Sequence, residues 1–225
     1  MTPDEEVIAA LSQILGPERA ARLDEVASSR LTGLVVVLEN LHDPHNGGAA
    51  LRSCEAVGVL ELRFAGTAPR FSERVTQGCE KWLNQFHDAD IDATRAALAP
   101  RGFRLYAAVP GAGTALEELD AQAPAAFLVG NEHSGLTNRA RELCDREFAI
   151  PLHGFSQSVN LSVATALTVY THAQRRRRAL GRGGDLDGAE LLALRADYYR
   201  RSVDARAGAG AAATIVNRWR SERGK

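Results

Sequence analysis

The sequence predicts an α/β chain: a mostly parallel sheet with helices on both faces, flanked by helical extensions at its two ends. Three observations carry this. The continuous apolar runs Leu34–Leu38 and Ala125–Val129 have the length and composition of strands buried on both faces. Stretches with apolar residues at helical spacing separate such runs, and strands alternating with helices build parallel sheets. The length, 225 residues, fits one α/β domain with extensions better than two full domains at roughly 150 residues each. The expected boundaries are 1–30 for an N-terminal helical extension, 31–180 for the α/β domain and 181–225 for a basic, helical C-terminal extension.

In order, Val7, Ile8, Leu11 and Leu15 mark a helix over 4–15. Ala20, Leu23 and Val26 mark another over 17–29, with Gly16-Pro17 as the break. After the strand at 34–38 comes a loop from Glu39 to Asn46, then a helix from about Gly48 to Val57, ended by Gly58. Leu60–Ala65 reads as a strand, Ile91–Leu98 as a helix stopped by Pro100 and Gly102, and Phe103–Val109 as a strand. The strand at 125–129 ends in Gly130. Thr137 caps a helix to Cys144. Phe148-Ala149-Ile150 is a strand stopped by Pro151, and Ser158 opens a helix to about Leu180 with Val159, Val163, Ala166, Leu167 and Tyr170 on an inward stripe. Helices over Ala189–Arg201 and Ala212–Glu222 close the chain, joined by the small residues of Ala205–Ala213.

Apolar residues make up 45% and charged residues 24%, a globular balance that excludes a disordered chain. No apolar run reaches about 18 residues, so no transmembrane helix and no membrane partner is expected. The N-terminus MTPDEEVIAA is acidic where a signal peptide is basic, which points to a cytoplasmic protein. Cys54, Cys79 and Cys144 form no C-x-x-C pair and read as thiols. His42 and His45 flank Asp43, but no further cluster completes a metal site. The net charge of −1 hides a gradient. Residues 1–30 carry three Arg against six acids, 31–170 eleven bases against sixteen acids, and 171–225 thirteen bases against six acids. The basic end, opening with Arg175-Arg176-Arg177-Arg178, suits either a solvated helix end or a phosphate-contacting tail.

Three polar segments follow strands, where open α/β sheets bind ligands. They are Glu39–Gly48 with Arg52 beyond it, Val129–Leu136, and Ile150–Leu161. Each couples small residues, which permit close backbone approach, to polar side chains. Glycine-rich dinucleotide and triphosphate fingerprints are absent, and so is a G-x-S-x-G elbow.

Taken together, these segments resemble a known family. N-x-x-x-x-x-R (Asn46 to Arg52), G-N-E-x-x-G (Gly130 to Gly135) and I-P-x-x-G-x-x-Q-S-x-N-x-S (Ile150 to Ser162), in this order, closely resemble the three motifs of the SpoU (TrmH-type) branch of SPOUT RNA methyltransferases. ENLHDPHN, RSCEAVGV and KWL strengthen the likeness, which spans about residues 34–178 and is nearest the tRNA guanosine 2'-O subgroup. The resemblance implies an α/β fold with a C-terminal trefoil knot, an exception to the rule against threaded chains. It implies S-adenosylmethionine as cofactor, no metal, tRNA as partner and a homodimer with the site at the subunit interface. By analogy, Ala108, Gly130, Ile150, Leu152 and Val159 surround the adenine. Arg52 holds the family's catalytic position, Asn46 orients it or the ribose, and Glu132, Ser158 and Asn160 organise the site. RNA phosphates would fall to Arg19, Arg22, Arg30, Lys81, Arg175 and Arg176. A guanidinium is an awkward base. Arg52 therefore either loses a proton with help from a substrate phosphate or stays charged and stabilises the emerging alkoxide; electrostatics plus positioning is the favoured role. The expected reaction is methylation of guanosine-18 in the D loop. The rivals are the same chemistry on ribosomal RNA and a non-catalytic RNA-binding relative.

Overall fold

A computed structural model describes residues 1–223. The chain forms two compact units, one over Leu31–Arg182 and one joining residues 1–30 to those from Gly183 onward. The two extensions, expected as separate segments, thus form one body. In it α1 (Pro3–Leu15) and α2 (Pro17–Ser28) pack with α8 (Gly188–Ala207) and α9 (Ala211–Arg223). Leu11, Leu15, Leu23, Tyr198 and Val203 are buried there. The acidic start and the basic end neutralise each other: Arg195 grips Asp24 through two bonds of 2.7 and 2.6 Å, Arg200 reaches Asp4 at 3.3 Å and Arg220 reaches Glu6 at 2.8 Å. Much of the basic end is therefore occupied by intramolecular partners.

The larger unit is a six-stranded sheet, β1 (Leu31–Glu39), β2 (Val59–Ala65), β3 (Asn84–Asp88), β4 (Arg104–Ala108), β5 (Ala125–Val129) and β6 (Arg146–Phe148), in the order β3-β2-β1-β5-β4-β6. Every neighbouring pair is parallel. The connecting helices are α3 (Pro44–Ala56), α4 (Glu73–Thr76), α5 (Ile91–Leu98), α6 (Asn138–Leu143) and α7 (Leu161–Leu180). The unbroken apolar run of β1 has a simple cause. Leu34, Val36 and Leu38 pack beneath α3 and α7, while Val35 and Val37 point to the opposite face under α5 and α6. Side chains alternate along a strand, so a strand covered on both faces favours apolar residues at successive positions, and β2 admits buried Glu61 and Arg63 as an ion pair at 2.7 Å.

Four sequence expectations are corrected. Helix α3 begins at Pro44, not Gly48, because Asp43 caps it by accepting the His45 amide at 2.8 Å. Strand β3 had little apolar signal, being an edge strand of partly exposed polar residues around the exposed Phe86. Strand β6 lies two residues earlier than expected, which releases Ile150 toward the site. Helix α7 begins at Leu161 under an Asn160 cap, and the stripe expected to face inward largely faces solvent: Val163, Leu167 and Tyr170 are 45%, 42% and 59% exposed. The buried face is Leu161, Thr165, Thr168, Val169, His172, Ala173 and Arg176. Two of its polar residues bond to backbone: Thr165 donates to the Leu161 carbonyl at 2.9 Å, and Arg176 donates to the Gln122 and Ala123 carbonyls at 2.9 and 3.1 Å.

Candidate active site

A cavity of about 960 Å³ lies beyond the carboxyl ends of β4, β5 and β6. Here the strand order reverses direction, the place where open α/β sheets bind ligands. Its wall takes Ala108 from the end of β4, Gly130 and Glu132 from the loop after β5, and Ile150, Leu152, Ser158, Val159 and Asn160 from the loop before α7. All five residues expected to surround the adenine are in the lining.

The loop after β5 is built by Asn131, a residue of the G-N-E-x-x-G segment with no expected site role. The Asn131 carboxamide donates to the Asn40 carbonyl at 2.8 Å and accepts from the His133 and Ser134 amides at 2.8 and 3.2 Å. Asn131 and Gly135 then close the turn with paired backbone bonds of 3.1 and 3.0 Å. Gly130 is obligatory beneath this turn, since a Cβ there would overlap the Gly135 and Leu136 backbone. The signal in the sequence is an Asn four residues before a Gly, the side chain of which caps its own turn. Buried Glu39, also unassigned, anchors the far side by accepting from the Thr137 amide and hydroxyl at 2.8 and 2.7 Å.

The three motifs meet through side chains. Asn160, capping α7, accepts from the Ser162 amide at 2.8 Å and the Ser162 hydroxyl at 2.6 Å. Its Nδ2 donates to Asn46 Oδ1 at 3.0 Å, and Asn46 Nδ2 donates to Glu132 Oε1 at 2.9 Å. Both ends of this chain are unambiguous, a backbone donor at one and a carboxylate acceptor at the other. Only one orientation of each intervening amide satisfies them. Asn46 lies outside the cavity lining, but these bonds tie it to Glu132 and Asn160, which are in it, and hydrogen bonds in a series polarise one another.

Arg52 stands apart from the lining. It is exposed on α3, about one and a half turns beyond Asn46, and makes no hydrogen bond or ion pair with a described residue. Nearby, burial pushes the Cys79 thiol up to about 11, reinforced by Glu55 and Glu80 and opposed by Arg52. Burial likewise pushes Cys144 up to about 12, so neither thiol is a nucleophile at neutral pH. His42 and His45 are exposed, and no group of metal-ligating side chains exists among the described residues.

The residues expected to meet RNA divide. Lys81 is exposed beside Trp82. Arg22 is exposed, paired with Glu25 at 2.7 Å, and Arg19 donates to Ser202 at 3.1 Å. Arg175 is half-buried and donates to the Leu116 carbonyl at 3.3 Å. Arg30 and Arg176 do not fit the expectation: both are buried, Arg30 against the Tyr198 ring and Arg176 on backbone carbonyls. A phosphate would have to pull each from partners that already replace its water.

The cavity suits an adenosyl group. Its walls are small or apolar at Ala108, Ile150, Leu152 and Val159, and the backbones of Ile150, Leu152 and Val159 form no hydrogen bond with a described residue. Those groups are available to the polar edge of a flat heterocycle.

This geometry is that of a parallel-sheet enzyme whose site is assembled from three loops. The SpoU rRNA Methylase family model matches residues 33–170, and the chain belongs to that family. It is a methyltransferase. The tRNA (guanosine(18)-2'-O)-methyltransferase of Thermus thermophilus is 39% identical over 167 residues, 72% of this chain and 85% of the relative. The Escherichia coli protein of the same name is 34% identical over 170 residues, 74% of each. The crystal structure of the A. aeolicus TrmH/SpoU tRNA modifying enzyme aligns with a TM-score of 0.73 at 32% identity, covering 83% of this chain and 97% of that one.

Proposed function

We propose that this chain methylates the ribose 2'-hydroxyl of guanosine-18 in the tRNA D loop, taking the methyl group from S-adenosylmethionine. The observation that carries the reading is the hydrogen-bonded series Asn160–Asn46–Glu132, which joins three motifs far apart in sequence at the edge of one cavity. The named relatives at 34–39% identity support the substrate.

S-adenosylmethionine supplies a methyl on a sulfonium, an electrophile that needs no further activation. The protein must align the hydroxyl and manage its charge. Ala108, Ile150, Leu152 and Val159 would hold the adenosyl group, and Gly130 lets the turn after β5 close beside the cavity. The polar series fixes Asn46 beside the ribose. Arg52, exposed and unengaged, grips the adjoining phosphate and stabilises the negative charge growing on the 2'-oxygen as its proton passes to solvent and the methyl bond to sulfur breaks.

The chain works as a homodimer in the cytoplasm, with a trefoil knot formed by the loops of the second and third motifs. The solvent-facing row Val163, Leu167 and Tyr170, beside the cavity-lining Leu161 and Ala164, supports pairing through α7. Transfer of labelled methyl to purified tRNA and to ribosomal RNA tests the reading. Label in tRNA is expected, and label confined to ribosomal RNA contradicts it.

A further inference from the structure

Phe155 is an anomaly. Its side chain is 110% exposed, whereas the other exposed large apolar side chains lie between 38% and 68%. It sits in the segment 151–159, where no residue hydrogen-bonds to a described residue, so the segment contributes little to holding the fold. Leu152 on one side and Ser156 on the other line the cavity; His153, Gly154 and Phe155 form the apex between them. An aromatic ring is thus presented to solvent at the cavity rim, on a loop that no hydrogen bond to a described residue ties down.

We propose that Phe155 is the platform on which the target nucleobase stacks, a substrate-binding residue that holds the base while its ribose faces the methyl donor. This rests on the RNA methyltransferase reading above. Sequence-specific RNA recognition takes unstacked bases onto aromatic faces, and every base offers such a face. The neighbours of Phe155 fit a nucleotide better than a protein surface. His153, Ser156, Gln157 and Ser158 are polar and exposed, with donors and acceptors for a base edge. A second copy of the chain would find its apolar partners on α7, at Val163, Leu167 and Tyr170. Gly154 leaves the approach to the ring open, since a Cβ there would meet nothing within 4 Å.

The test compares the full-length wild type with Phe155→Ala, Phe155→Leu and Phe155→Tyr. The KM for a tRNA transcript, the affinity for S-adenosylhomocysteine and the sedimentation mass are measured for each. Stacking predicts that Phe155→Ala raises the KM for tRNA about tenfold or more while S-adenosylhomocysteine affinity stays within about twofold and the mass is unchanged. Phe155→Tyr restores the KM; Phe155→Leu, apolar without a ring face, does not. A wild-type KM in Phe155→Ala, full rescue by leucine, or a lower mass in Phe155→Ala would each overturn the proposal, the last by assigning the ring to a second copy. If the wild type fails to methylate tRNA, the functional reading falls. Fluorescence anisotropy with a D-arm hairpin RNA then still decides the stacking, since equal binding by wild type and Phe155→Ala overturns it and weaker binding by Phe155→Ala supports it.

Discussion

Asn46→Asp is the sharpest probe of the polar series because it changes one atom and reverses one bond. In the native chain, Asn46 Nδ2 donates to Glu132 Oε1 at 2.9 Å while Oδ1 accepts from Asn160. Aspartate keeps the acceptor for Asn160 but sets a carboxylate oxygen against the Glu132 carboxylate. Two unit charges about 4 Å apart repel by roughly 4 kcal/mol at an effective dielectric of about 20. Both positions are only partly buried, so solvent screening reduces this to about 1–3 kcal/mol. The lost charge-assisted hydrogen bond is part of the same change. The expected result is a fall in kcat/KM of about tenfold to a hundredfold at about pH 8. The pair holds a proton more tightly than either acid alone, and an O–H restores a donor to Glu132. The defect therefore shrinks as pH falls toward about 5.5, a pH dependence that Asn46→Ala lacks. Single-turnover methyl transfer across the pH range, normalised to wild type, reads this directly. Activity of Asn46→Asp within about twofold of wild type at about pH 8 would refute the reasoning.

Other substitutions follow from the same geometry. Arg52→Ala removes an exposed side chain without partners, so thermal stability should stay within about 0.5 kcal/mol of wild type while kcat drops about a hundredfold or more; unaltered turnover removes Arg52 from the mechanism. Gly130→Ala forces the Gly135 and Leu136 backbone to move, costing about 1–3 kcal/mol by thermal denaturation together with weaker S-adenosylhomocysteine binding by calorimetry; wild-type values for both contradict the close approach. His172 is fully buried against the Phe127 ring with neither nitrogen partnered, and burial, reinforced by Arg175 and Arg176 and opposed by Asp120, lowers its pKa to about 4. The folded state resists its protonation, so stability falls as pH drops from about 6.5 through about 4, by up to roughly 3 kcal/mol. His172→Phe should flatten that part of the curve in chemical denaturation, and an unchanged slope assigns the acid loss to other groups.

The sheet was legible wherever a strand is covered on both faces. Leu34–Leu38 and Ala125–Val129 could satisfy two cores only by being apolar throughout. Strand β3 was not legible, because an edge strand pairs through backbone and leaves Asn84, Gln85 and His87 free to be polar. The facing of α7 was misread for a related reason. Its outer row is the more apolar one, while its inner row carries threonine, histidine and arginine, of which Thr165 and Arg176 are held by backbone carbonyls, so periodicity favoured the wrong side. Charge counting located the basic end but not the direction of each guanidinium. Arg195, Arg200 and Arg220 are engaged by carboxylates of the N-terminal helices, and Arg30 and Arg176 are turned inward. At the site, motif spacing picked out Asn46, Glu132 and Asn160. The bonds that join them depend on contacts 86 and 114 residues apart, which no local pattern encodes.

Mass-spectrometric mapping of the methylated nucleotide in tRNA incubated with the chain and S-adenosylmethionine addresses the central claim most directly. The account predicts a single added methyl on the ribose of guanosine-18, absent from the Arg52→Ala reaction. A methyl group on a base, or a tRNA that stays unmodified while ribosomal RNA gains the label, would contradict it.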